Sequence, residues 1–206
     1  MRGSCIVKLG GSLAGSGELT AWLDMLIAAE TRIVLVPGGG PFADRVREAQ
    51  VRLGFDDATA HHLAILAMEQ FGRALAGLRP TLEPAESMSA IAAALRRGRL
   101  PVWMPARMTI GRPEIPETWE VTSDSLALWL AARLGARHAL LVKSAPPSDG
   151  PLTAEGLAAA GFVDAAFPGF FAAYSGAVSC AGPGEQRSVT EALRHGECPG
   201  KAITGG

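Results

Sequence analysis

Three short apolar runs, each stopping at glycine or lysine, constrain the fold of this chain more than any other feature. Cys5-Ile6-Val7-Lys8-Leu9 stops at Gly10-Gly11-Ser12, Ile33-Val34-Leu35-Val36 at Pro37-Gly38-Gly39-Gly40, and Ala139-Leu140-Leu141-Val142 at Lys143-Ser144. Runs of this length and composition read as buried strands. Longer stretches with helical spacing lie around them: Leu19 to Ala29, Phe42 to Leu53, Ala58 to Leu78, Met88 to Arg97 and Ser125 to Leu134. The last is introduced by Thr122-Ser123-Asp124, which is good N-cap chemistry. Leu100 to Met104 and Ala177 to Cys180 read as further strands, and Gln186 to Arg194 as a further helix. Strands alternating with helices imply βαβ units. The expected fold class is α/β, a three-layer α/β/α sandwich around a mostly parallel central sheet. The 206 residues, 48% of them hydrophobic, fit one large domain over 1–206. Thr109 to Thr118 and Ser144 to Gly161 are expected to be long surface loops.

Composition narrows the partners. The net charge is −1, so there is no basic surplus to neutralise a nucleic-acid backbone. Cys5, Cys180 and Cys198 are widely spaced and form no CxxC pair, so they read as small buried apolar residues in a reducing cytosol. Cys5 to Val7 is too short for a signal-peptide core, and the longest apolar stretch, Leu126 to Val142, is broken by Arg133, Arg137 and His138. A cytoplasmic protein with no membrane span is expected. Sixteen arginines stand against only Lys8, Lys143 and Lys201, so a lysine that survives this bias is a candidate for a role only lysine fills.

Ligands in open α/β sheets bind at the carboxyl ends of the strands. Lys8-Leu9-Gly10-Gly11-Ser12 offers glycine N–H groups and an ammonium to phosphates there. Pro37-Gly38-Gly39-Gly40-Pro41-Phe42 places three glycines at a helix start, where an anion is favoured. A turn needs one or two glycines, so three suggest backbone pressed against a ligand. Val121-Thr122-Ser123-Asp124-Ser125 clusters hydroxyls and a carboxylate at another helix start, and the carboxylate makes sense near phosphates if it holds lysines or magnesium. Leu141-Val142-Lys143-Ser144 delivers a second lysine to the same sheet edge. Each segment also has an ordinary reading as a turn, a cap or a snorkelling lysine; their agreement is what points to phosphate chemistry. Neither GxxxxGK[ST] nor GxGxxG occurs.

These segments, in this order, resemble the amino-acid-kinase superfamily, which includes acetylglutamate, uridylate and isopentenyl phosphate kinases. Val7 to Ser12 resembles its opening strand and nucleotide-phosphate loop, Val36 to Pro41 its acceptor-binding glycine triplet, and Thr122 to Ala127 its aspartate motif. Ala60-His61-His62-Leu63-Ala64-Ile65-Leu66-Ala67-Met68, with Thr118 to Ser125, is similar to the small archaeal-type branch that includes the kinase of methanofuran biosynthesis. The resemblance implies the amino-acid-kinase fold, ATP with Mg²⁺, and a small phosphate acceptor, (5-(aminomethyl)furan-3-yl)methyl phosphate. A uridylate-kinase-like or other small-molecule kinase is one alternative, and a nucleotide-binding regulatory or storage protein without catalysis is another. A homo-oligomer is expected by the same analogy, and no protein metal site.

The roles it implies are specific. Lys8, Asp124 and Lys143 are the catalytic candidates: Lys8 stabilises charge on the transferring phosphoryl group and Asp124 orients the lysines. Gly10, Gly11 and Ser12 cradle ATP phosphates, Lys143 lies near the nucleotide, and Asp149 and Gly150 resemble a DG pair on the adenine side. Gly38, Gly39 and Gly40 hold the acceptor phosphate, with Ser123, Ser125 and His61 on the acceptor side. His61 on an apolar helix also reads as an ordinary core residue, and His62 faces another side of the helix. Glu69, Asp56 and Asp57 are candidates to meet the acceptor's ammonium. One departure stands out. Several larger members carry a second catalytic lysine after Gly-Gly-Met in the C-terminal third, and this chain has no such turn. Either Lys143 supplies that charge, or the C-terminal half is reduced.

Overall fold

The computed structural model describes residues 4–147 and 152–205. Its strands are β1 (Cys5–Leu9), β2 (Ile33–Pro37), β3 (Leu82–Ala85), β4 (Leu100–Trp103), β5 (His138–Val142), β6 (Ala177–Ala181) and β7 (Lys201–Ile203). They form one sheet in the order β3-β4-β2-β1-β5-β6-β7, parallel throughout except where β7 runs against β6. The helices among the described residues are α1 (Glu18–Ala28), α2 (Gly40–Leu53), α3 (Asp57–Leu78), α4 (Met88–Arg96), α5 (Ala106–Thr109), α6 (Ser123–Leu134), α7 (Ala154–Ala159), α8 (Phe167–Ala173) and α9 (Gln186–His195). The expected α/β class and mostly parallel sheet are what the chain adopts.

The buried strands explain the continuous apolar runs. Successive side chains of a strand point to opposite faces. Val7 and Leu9 of β1 therefore join a core with Trp22 and Leu26 of α1 and Leu193 of α9, while Ile6 joins a second core with Ile65 of α3 and Leu126 and Leu130 of α6. Lys8 shares the parity of Ile6, so the strand itself directs it toward the α6 side.

Several elements differ from the sequence expectation. Ser144 to Gly161 is not wholly a loop, because it contains α7. Thr153 caps that helix by accepting from the Gly156 N–H at 3.1 Å, and Ala154 and Leu157 are buried. β3 and β7 lie at or near the sheet edges and are short. β3 includes Pro84, which an edge strand tolerates because its missing N–H need not enter a ladder. α8 is a short apolar helix with Pro168 in its first turn. Cys5 and Cys180 are buried as expected, whereas Cys198 is exposed. No helix among the described residues is long and apolar enough to cross a membrane.

Candidate active site

The three central strands end level with one another. Leu9 of β1 is in register with Pro37 of β2 and Val142 of β5. Gly10, Gly38 and Lys143 therefore begin three adjacent loops on the carboxyl edge. Backbone bonds fix their starts: Gly10 N donates to Val142 O, Gly38 N to Leu9 O and Lys143 N to Ala181 O, each at 2.9 Å. The hydroxyls of Ser12 and Ser144 lie 2.7 Å apart and join the loops after β1 and β5.

The glycines have a reason that the sequence did not reveal. A Cβ on Gly11 would fall 2.4 Å from Gly40 N, and one on Gly38 would fall 2.4 Å from Gly11 N. The loops after β1 and β2 thus touch backbone to backbone. Gly40 has φ +56° and faces the Phe71 ring, and a Cβ on Gly39 would strike Ala43. Each glycine of the triplet thus has a protein neighbour where its Cβ would lie: the loop after β1 for Gly38, Ala43 of α2 for Gly39 and Phe71 of α3 for Gly40. Gly11, Ser12, Gly39 and Gly40 nevertheless line the adjoining cavity.

A buried trio of charges lies beside these loops. Lys8 Nζ is 2.8 Å from Asp124 Oδ1, and Lys143 Nζ is 2.8 Å from Asp124 Oδ2. Lys143 also donates to Phe162 O at 2.6 Å and lies over the Phe162 ring. Burial alone would raise the Asp124 pKa, but the two ammonium groups outweigh it and hold the carboxyl below its usual value. Burial, and secondarily the Lys8 charge, push Lys143 down to about 8.

Asp164, which sequence reasoning missed, anchors the turn that carries Asp124. Thr122, the N-cap of α6, makes no side-chain cap bond of its own. Instead Asp164 accepts from the Thr122 N–H (2.9 Å) and hydroxyl (2.8 Å), from the Ser125 N–H (3.0 Å) and from the Ser125 hydroxyl. Burial and then the Asp124 charge raise its pKa; the hydrogen bonds partly offset this. Its only sequence signal is a lone acid within the apolar stretch Gly161-Phe162-Val163-Asp164-Ala165-Ala166-Phe167. Asp164→Ala strands four donors and is expected to cost about 2–4 kcal/mol. Asp164→Asn, which keeps one acceptor oxygen, is expected to cost less. Thermal melts of the two variants check this ranking, and equal melting points would refute it.

A cavity of about 250 Å³ opens between α2, α3 and the segment leading into α6. His61 lines it and is almost fully buried. Its Nδ1 lies 3.1 Å from Thr118 O. A carbonyl can only accept, so Nδ1 carries the proton and Nε2 keeps a lone pair. Burial lowers the His61 pKa and keeps the ring neutral. His62 also reaches this segment, through Glu117 Oε1 at 2.7 Å. Trp119 donates to Gln50 at 2.7 Å and lies under the Arg47 guanidinium at 4.2 Å. The loop after α5 is therefore held by both α2 and α3.

Other expected site residues fall in different places. Ser123 lines the cavity, whereas Ser125 is turned to Asp164. Gly38 lies beneath, with its N–H bonded to Leu9. Asp149 and Gly150 lie outside the described residues. Asp56 caps α3 at the Thr59 N–H, Asp57 accepts from Gln50, and Glu69 accepts from the Ala106 N–H. None of these three acids lines the cavity. Among the described residues no group of three His, Cys, Asp or Glu side chains is arranged to hold a metal.

Residues 4–146 match the model of the amino acid kinase family. A curated relative, the [5-(aminomethyl)furan-3-yl]methyl phosphate kinase of Methanocaldococcus jannaschii, is 27% identical over 138 residues. That match spans 66% of this chain and 63% of the relative's length. Among solved structures, the uridylate kinase of Archaeoglobus fulgidus superposes with a TM-score of 0.70 at 17% identity, covering 97% of this chain and 99% of that one. The UMP kinase of Bacillus anthracis superposes with a TM-score of 0.68 at 17% identity, covering 98% and 95%.

Proposed function

The chain belongs to the amino acid kinase family, and on that premise we propose that it is an ATP-dependent kinase acting on the phosphate of a small acceptor, [5-(aminomethyl)furan-3-yl]methyl phosphate. The observation that carries this reading is the Lys8–Asp124–Lys143 trio beside two touching glycine loops. Two ammonium groups and one carboxylate leave a net charge of +1 in a buried setting. Such fixed charge is what a transferring phosphoryl group needs. The loop from Gly10 to Ser12 would hold the donor phosphates. The start of α2, at Gly39 and Gly40, would hold the acceptor phosphate against helix N–H groups.

In this reading an acceptor phosphate oxygen attacks the γ-phosphorus of ATP. The new P–O bond forms as the bond to the β,γ-bridging oxygen breaks, and ADP leaves with the electron pair. The acceptor oxygen is already anionic, so no general base is required. Both carboxylate oxygens of Asp124 are engaged by lysines, and Asp164 is occupied by its four donors. Magnesium therefore fits as part of the nucleotide substrate rather than as a resident ion. The position of Lys143 on Asp124 supports it as the second charge that larger family members take from their C-terminal third. That favours catalysis over a silent nucleotide-binding role. The small cavity, below the range of about 300–1,000 Å³ typical for drug-sized ligands, suits a single-ring acceptor better than a nucleotide.

Lys143 gives the reading a pH signature. Its ammonium is present below about 8 and is lost above it. We expect kcat/KM to fall as pH rises through that value, and Lys143→Arg to shift the fall upward. Stability moves the other way. The folded pKa lies below the ordinary 10.5, so between about 8 and 10.5 the unfolded chain binds more protons and this group's contribution to stability rises with pH. A pH–rate profile flat to the alkaline side would remove Lys143 from the chemistry.

The direct test is ADP release from MgATP with a panel of acceptors: the aminomethylfuran phosphate, UMP and isopentenyl phosphate. Turnover confined to the first supports the assignment. Turnover with UMP alone would replace it with the uridylate-kinase reading.

A further inference from the structure

Resting on the assignment of the cavity to the acceptor, we propose that Asp44 reads a primary ammonium on that acceptor and makes the enzyme selective for amine-bearing phosphomonoesters. Asp44 is the sole carboxylate in the cavity wall. It lies four residues after Gly40 on α2, so the two share a helix face about 6 Å apart along the axis. Gly40 begins the helix where a phosphate is favoured, and Asp44 stands one turn further along the same wall. The same lining includes the apolar side chains of Ala43, Ile65 and Met68, and Arg47 as its one arginine. An anionic end, a small apolar middle and a cationic end, spaced by about one helical turn, describe one five-membered ring carrying two short arms.

The other acids near this region are already used. Asp56 and Glu69 accept backbone N–H groups, Asp57 accepts from Gln50, and Glu117 bonds His62. Asp44 differs. At the rim of the cavity, 72% exposed, it forms a loose ion pair with Arg47 at 3.8 Å, too long for a hydrogen bond, and Arg47 is stacked on Trp119. The Asp44 oxygens thus make no hydrogen bond to the described residues. His61 supplies a second acceptor to the same cavity. Its Nδ1–H is committed to Thr118 O, so Nε2 can only accept from a neutral ring. An ammonium carries three donors and no acceptor, so both wall groups suit it.

The test compares three acceptors that differ in one arm, bearing an aminomethyl, methyl or carboxylate group, with the wild type and with Asp44→Asn. A charge-assisted bond lost to a neutral amide predicts that the amine-to-methyl ratio of kcat/KM falls about tenfold in Asp44→Asn, chiefly through KM. The carboxylate acceptor is expected to be the poorest for the wild type. An amine-to-methyl ratio that is the same in both proteins would overturn the role of Asp44, as would preferred turnover of the carboxylate acceptor. Failure of the wild type to phosphorylate any of the three is a different result: it rejects the assignment of the cavity and takes this inference with it.

Discussion

Replacing Lys8 with methionine is expected to lower kcat by about 10²–10³-fold while the protein remains folded. Lys8 is 4% exposed and its ammonium lies 2.8 Å from Asp124. Methionine is of similar length and apolar, so it fills the same space beside Ile6 and the α6 side of the sheet. Asp124 keeps Lys143 at 2.8 Å, so no buried carboxylate is left without a counter-charge. What changes is the net charge of the trio, which falls from +1 to zero. A site that stabilises a phosphoryl group by fixed positive charge cannot tolerate that loss. Single-turnover ADP formation, with a thermal melt as the control for folding, measures it. A kcat within tenfold of wild type would show that Lys8 is structural.

Asp124→Ala is expected to do the opposite of a clean catalytic knock-out: it should damage the fold as well as the rate. Removing the carboxylate leaves two buried ammonium groups facing the space it held, with no counter-ion between them. Breaking a buried ionic group in this way costs about 3–5 kcal/mol. For a chain of this size each kcal/mol lowers Tm by about 2–4 °C. The loss should shrink as pH rises, because the Lys143 ammonium, already pushed down to about 8, gives up its proton first. Adding Lys143→Met to Asp124→Ala is expected to restore part of the stability without restoring turnover. Melts at neutral and alkaline pH separate these cases. A double variant no more stable than Asp124→Ala would mean that charge repulsion is not what destabilises the single one.

The parts of this site legible in the sequence are those coded locally. The strand that carries Lys8, the glycines after it, the second strand with its triplet and the Thr122-Ser123-Asp124 helix start each occupy a few consecutive residues, and each is found where it was expected. What the sequence hides is whatever depends on two distant segments. Asp164 bonds residues about forty positions earlier, and nothing near it in the chain announces that. The three glycines read as backbone pressed against a ligand, but the sequence does not show the protein neighbours that also need the room, Gly11, Ala43 and Phe71. Both histidines reach the loop before α6, although on helical spacing they point apart. Asp56, Asp57 and Glu69 carry the charge an ammonium needs, but the sequence does not show that Asp56 and Glu69 accept backbone N–H groups and Asp57 accepts from Gln50. Asp44 reads from the sequence as one more charge on the outer face of α2, and only the fold brings it to the cavity wall. α7 and the edge strands were missed for a related reason. Thr153 caps a helix inside a segment whose prolines and glycines signal only loop, and β3 has just two buried residues, Leu82 and Ala85.

The direct main-chain contact between the loops after β1 and β2 has a consequence for how such a protein can diversify. No side chain separates Gly11 from Gly38 and Gly40, so the spacing between whatever the two loops bind is a property of the backbone, and substitution at those positions cannot adjust it gradually. The walls of the cavity carry no such restriction, since Asp44 and Arg47 of α2, His61 of α3 and Trp119 of the segment before α6 face it with side chains rather than main chain. On the proposed reading, the molecule is divided into a fixed gauge, which sets the reaction distance once, and a set of exchangeable panels, through which acceptor preference can drift without altering it.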